Sequence, residues 1–83
     1  MKWVINAKYE KDFKIKVTFN TKETFTIDFK KHLDGPIFEK LKNVKKFQQF
    51  SIHPELNVLC WPNGADFSSD FLYDIAKKKS NAA

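Results

Sequence analysis

The chain has 83 residues, 42 % apolar and 16 % aromatic, and a net charge of +5 carried by fifteen basic residues that are all Lys. That length allows one small domain with a single core, and the apolar share excludes a disordered chain. No run approaches the roughly 20 apolar residues of a bilayer-spanning helix, and Cys60, standing alone, excludes an internal disulfide and points to a reducing cytoplasm.

The start reaches Lys8, Glu10, Lys11 and Asp12 too early for a signal peptide. Residues 3–9 predict a first strand with Trp3, Ile5, Ala7 and Tyr9 on one face. In Lys14–Phe19, and again in Thr24–Phe29, apolar and polar residues alternate. Ile15, Val17 and Phe19 then share a face, as do Phe25, Ile27 and Phe29. Asn20-Thr21-Lys22-Glu23 is a short polar turn, so the two strands form a hairpin. One wet face and one apolar face imply an antiparallel sheet covered on one side.

Asp34-Gly35-Pro36 ends the sheet, and Pro36 suits the first turn of a helix capped by Asp34 or Gly35. Ile37, Phe38 and Leu41 fall on one helical face. Asn43 reads as a break and a new cap for a second turn holding Val44, Phe47 and Phe50. Ser51–His53 and Val58–Trp61 predict two more short strands. The last helix spans Ser69 to Lys78, with Ser68 as its cap, Asp70 at the positive end of its dipole and Lys77, Lys78 and Lys79 at the other. Phe67 and Leu72 have the spacing of a hydrophobic staple, and Phe71, Leu72 and Ile75 turn toward the core. The order β-β-β-α-α-β-β-α describes one α+β domain over residues 1–79. It is a small antiparallel sheet with helices on one face, followed by a frayed tail at 80–83.

The signs of specific chemistry are sparse. His32 and His53 stand in different loops with no cysteine pair or carboxylate at ligand spacing, so no metal or other cofactor is expected. Cys60 could act as a nucleophile, but it sits in an apolar run where a small buried hydrophobe is the commoner role. No phosphate-binding glycine loop and no nucleophile elbow occurs. Asp66, Asp70 and Asp74 recur every four residues, which suits helix-start and surface charge. An enzyme is not expected.

In Cys60-Trp61-Pro62-Asn63-Gly64-Ala65-Asp66, Pro62 fits the second position of a β-turn, Asn63 the third, and Gly64 supplies a positive φ. Asp66 can accept backbone N–H bonds in the loop before the helix. Trp61 either caps the core or stays exposed beside Trp3 as a contact anchor.

Trp61-Pro62-Asn63-Gly64-Ala65-Asp66, followed by Phe71-Leu72-Tyr73, resembles the closing signature of a family of small prokaryotic proteins, domain-of-unknown-function family two thousand four hundred and forty-two. The likeness extends over the N-terminal hairpin, the Phe38–Leu41 helix and the Pro54-Glu55-Leu56 turn. Asn57 stands where many members are expected to carry Gly, and Asn also tolerates the left-handed region. The resemblance implies an α+β domain without established catalytic residues. It also implies occurrence beside another small protein, in a toxin–antitoxin-like pair, or fusion to a helix-turn-helix domain.

These readings lead to a cytoplasmic protein-interaction module that binds another small protein, with Trp61, Asn63 and Tyr73 as contact residues. Pro62, Gly64 and Asp66 would be turn and loop residues, and no membrane association is expected. The alternative is weak nucleic-acid binding through Lys14, Lys16 and Lys22 on the hairpin's wet face, aided by Lys77, Lys78 and Lys79. Against it, the chain has no Arg, and residues 1–76 carry twelve Lys against ten acids, a net +2.

Overall fold

The alternation in the first half builds a three-stranded antiparallel sheet, β1 (Val4–Lys11), β2 (Lys14–Phe19) and β3 (Thr24–Asp28), in the order β1-β2-β3. A computed structural model describes residues 1–81. Ile15 pairs with Ile27 and Val17 with Phe25, so the apolar sides of β2 and β3 face the core together. Ile15, Val17, Phe19 and Phe29 are fully buried. On the wet face, Thr18 and Thr24 join their hydroxyls at 3.1 Å.

β1 departs from strict alternation. Val4 pairs with Phe19 and Asn6 with Thr18, so a bulge falls at Ile5 and changes which residues face inward. Val4 is buried at 1 % exposure, and Ala7 and Tyr9 pack against the core beyond the bulge. Trp3 and Ile5, expected to share one face with Ala7 and Tyr9, are 37 % and 50 % exposed instead. One extra residue in the ladder is enough to reverse the face.

The middle of the chain is helical in short pieces. Single 3-10 turns at Lys30–His32 and Lys40–Lys42 flank α1 (Pro36–Glu39), and α2 (Val44–Phe47) follows. Gly35 precedes Pro36 with φ +90, and the Asn43 side chain accepts the Lys46 N–H at 3.2 Å. Four-residue helices have no stability of their own. α2 is held by Phe47, 0 % exposed, and the 3-10 turn before it by Leu41, 2 % exposed.

A second three-stranded sheet, absent from the expected order, contains β4 (Ser51–Ile52), β5 (Leu59–Cys60) and β6 (Asp66–Phe67). β6 is the strand that the sequence did not announce. Two residues are too few to show alternation, and its pairing to β5 depends on the corner between them. Between β4 and β5, Asn57 takes φ +53, within the left-handed region that Asn tolerates.

α3 (Ser69–Asn81) closes the fold. Ser68 caps it, its Oγ accepting the Phe71 N–H at 3.2 Å. Ser69 Oγ ties three segments together, accepting from the Val4 N–H at 3.0 Å and donating to the Asn57 carbonyl. Leu72 and Ala76 are buried, whereas Phe71 is 39 % exposed and stacks its ring on Phe67 at 5.5 Å. The helix passes its expected end at Lys78 and includes Ser80 and Asn81; positions 82 and 83 of the expected tail lie outside the described residues.

Lys22 holds φ +78 at the β2–β3 turn, where its N–H reaches the Phe19 carbonyl at 2.9 Å. A side chain in that region costs about 1–2 kcal/mol, partly offset in glycine by extra unfolded-state freedom. Lys22→Gly is therefore expected to raise stability by about 0.5–1 kcal/mol in chemical denaturation.

Candidate functional site

The corner from Trp61 to Asp66 is the best-connected segment of the second half. Gly64 N–H bonds to the Trp61 carbonyl at 3.0 Å and Trp61 N–H to the Ala65 carbonyl at 2.9 Å. Pro62 and Asn63 occupy the middle of this turn, and Gly64 takes φ +93. A Cβ at Gly64 would meet only Ile37 Cδ1 at 3.5 Å, an ordinary contact. Glycine is needed there for its backbone conformation and not for space.

Trp61 is a core residue, only 4 % exposed. Its indole Nε1–H donates to the Phe47 carbonyl at 2.7 Å, and its ring lies 5.8 Å from both Phe47 and Phe67. Of the two places considered for its ring, the structure puts Trp61 in the core, where it offers little surface of its own to a partner. Asn63 is exposed, but both ends of its amide are occupied: Oδ1 accepts the Ala65 N–H and Nδ2 donates to the Ile37 carbonyl, each at 3.0 Å. It pins the corner to α1. Asp66 does not have the loop-capping role expected of it. It is an exposed residue of β6 opposite Cys60, and its carboxylate makes no hydrogen bond among the described residues. Asn63 performs that task from within the turn.

Tyr73 lies elsewhere, against the β2–β3 turn. Its hydroxyl donates to Glu23 Oε1 at 2.7 Å, and its ring meets Phe19 edge-on at 5.1 Å. Lys2 Nζ sits 4.5 Å from the ring centre, and Lys77 Nζ reaches Glu23 Oε2 at 3.5 Å. The Tyr73 hydroxyl, aided by Thr21 and Lys77 against some desolvation, holds the Glu23 carboxyl below its usual pKa. The same bond, with desolvation, raises the Tyr73 phenol. The three residues expected to form one contact surface thus divide between a corner and a separate network.

The lysines expected to meet nucleic acid are divided too. Lys14 lies across from Asp28, and Lys16 lies across from Lys8. Lys77 and Lys78 are paired with Glu23 and Asp74, and the Lys79 side chain is not among those described. A further stretch of positive charge went unnoticed in the sequence. Residues 30–46 hold six Lys against two acids, a net +4, while residues 47–76 hold four acids and no Lys. Counting charge by segment would have found it.

Part of that basic segment borders a groove of about 310 Å³. Leu41, Trp61 and Pro62 form its apolar part, and Lys40, Lys46 and Gln49 its polar rim. A second, smaller depression of about 180 Å³ lies between the N-terminus, the turn after His53 and the start of α3, with Met1, Trp3 and Leu56 at its edge.

The cysteine and the two histidines weighed for catalysis each have neighbours of other kinds. Cys60 is half-buried, with Ser51 Oγ at 3.6 Å from its sulfur. His53 Nδ1 accepts the backbone N–H groups of Glu55 and Leu56, both at 3.1 Å, and His32 packs edge-on against Phe71. Among the described residues, no three His, Cys, Asp or Glu side chains gather as they would around a metal ion.

A family model described as "Protein of unknown function (DUF2442)" matches residues 4–78. The chain belongs to this family. The DUF2442 match runs from the first residue of β1 into the later turns of α3, so it takes in both sheets and the corner. No curated protein and no solved structure matches the chain. No helix of this DUF2442 domain is long and apolar enough to cross a membrane, among the described residues.

The corner's geometry sets an order of costs. Gly64→Ala is expected to lose about 1–2 kcal/mol from left-handed strain, and Asn63→Ala about 1–3 kcal/mol from its two backbone partners. Asp66→Ala should change stability by less than about 0.5 kcal/mol. Urea denaturation of the three variants checks the order. The Glu23–Tyr73 bond predicts a pH dependence. Its contribution is full above the usual carboxylate range and fades as pH falls through the lowered Glu23 value; it is full below the usual tyrosine value and fades as pH rises through the raised Tyr73 value. The stability difference between the native chain and Tyr73→Phe should therefore be level near neutrality and shrink at both extremes of a denaturation series.

Proposed function

We propose that this protein is a cytoplasmic interaction module whose partner is another small protein, encoded nearby in a toxin–antitoxin-like arrangement. One observation supports the reading. Trp3 and Leu56, 37 % and 68 % exposed, border the same depression as the fully exposed Met1. Large side chains grouped at one surface depression are the usual anchors of protein contacts, and an aromatic anchor buries much area with few rotamers to immobilise. The β1 bulge is what turns Trp3 outward. A reducing compartment accords with the single free thiol of Cys60.

A second reading, weak nucleic-acid binding, draws on Lys8 and Lys16 facing each other across β1 and β2. Like charges directly opposed are unfavourable unless an anion lies between them. Gel-shift assays with duplex and single-stranded DNA at about 50 mM salt decide it, because phosphate neutralisation is strongest at low salt. Absence of a shift there ends that reading.

The interaction reading is tested by affinity capture from the native host with the wild-type chain and with Trp3→Ser/Leu56→Ser. Both side chains are exposed, so the variant should keep its melting temperature. It should lose the partner by about tenfold or more if these are anchors. Equal capture by both chains, or no capture by either, overturns the proposal. Trp61→Ala is not a useful probe, because it removes a core ring.

A further inference from the structure

The groove beside the corner carries a separate inference, independent of the Trp3 depression and sharing no residue with it. Its apolar surface comes chiefly from the exposed Pro62, beneath which lie Leu41 and Trp61, only 2 % and 4 % exposed. Its rim carries two exposed ammonium groups, Lys40 and Lys46, and the Gln49 amide; no carboxylate lines it. Glu39, the nearest acid in sequence, pairs with Lys42 at 3.7 Å, and neither Lys40 nor Lys46 has an ion-pair partner among the described residues. The amide of Asn63 is bonded within the chain and adds nothing to the rim. What remains for a ligand is a small apolar surface beside two unpaired cations, within a segment of net +4.

We propose that this groove binds an acidic segment of a partner protein, packing one apolar side chain against the exposed Pro62 above Leu41 and Trp61 while flanking carboxylates meet Lys40 and Lys46. Charge complementarity selects the occupant. A net +4 over residues 30–46 favours acidic segments and repels basic ones. The volume, about 310 Å³, suits a single large side chain with its backbone outside. Single-stranded nucleic acid fits less well. Stacking a base needs an open aromatic face, and the Trp61 faces are covered by Phe47, Phe67 and their neighbours. The chain also has no Arg to grip phosphates bidentately. A second copy would have to offer a different patch, such as its acidic 47–76 segment, and so would join head to tail into rings or open chains instead of a two-fold dimer.

The test is an NMR titration of the full, isotope-labelled chain with two synthetic hexapeptides. One has a central Phe-Leu pair flanked by Asp and Glu; the control replaces the acids with Asn and Gln. The acidic peptide should shift the Trp61 indole and the amides of Leu41 and Gln49, leaving the Trp3 indole in place. It should bind about tenfold or more tightly than the control at about 50 mM salt, and the ratio should narrow at about 500 mM. Lys40→Glu/Lys46→Glu, at two exposed sites, should keep its melting temperature and lose the acidic peptide's advantage.

Four results would overturn the proposal: equal binding of both peptides, shifts confined to the Trp3 depression, tighter binding of oligothymidylate at the groove, or no shift at about 5 mM peptide, an energy too small for recognition. Self-association of the free chain that disappears in the double Lys variant would also overturn it, by assigning the groove to a second copy.

Discussion

The indole N–H of Trp61, bonded to the carbonyl of Phe47 inside the core, is the interaction on which the second half of the molecule depends. It joins the end of α2 to the corner after β5, two segments with little regular structure to align them. Left without its partner, either group would carry the desolvation cost of a buried polar atom, about 1–3 kcal/mol. Around it, Phe29, Phe47, Phe67 and Trp61 meet at ring separations between 5.3 and 6.4 Å. Each such contact is favourable by about 0.5–1.5 kcal/mol beyond area burial. A domain stable by only about 4–8 kcal/mol leans heavily on a cluster of that kind.

The corner follows from this constraint. With Trp61 fixed in the core, the chain must reverse at once for Asp66 and Phe67 to return along β5. Pro62 limits the path, Gly64 takes the positive φ, and Asn63 holds the reversal while reaching across to Ile37. The unusual composition of this stretch is thereby accounted for by structure. Beside it lies a groove whose apolar part is Leu41, Trp61 and Pro62 and whose cations come from the segment around α2.

The same division separates contact residues from core residues. Trp61 and Trp3 look alike in sequence, as single aromatics at the ends of apolar runs. The bulge at Ile5 turns one outward, and the bond to Phe47 holds the other in. Tyr73 is likewise occupied, joined to Glu23 and lying under Lys2. Exposed positions free to meet a partner are therefore found where the expected pattern fails, at Trp3 and Leu56, and where charge accumulates, at Lys40 and Lys46.

By itself, the sequence determined the β2–β3 hairpin, the caps at Asn43 and Ser68, the positive φ at Gly64, and the α+β class. Each is a local matter, settled by side-chain alternation, by a polar side chain near a helix start, or by a residue that tolerates the left-handed region. Only the tertiary structure decided the bulge in β1, the second sheet with β6, the burial of Trp61, and the bond that carries Tyr73 to Glu23, fifty positions away. These depend on which strand lies beside which. A strand of two residues has no period to detect, and one inserted residue leaves composition unchanged while reversing a face.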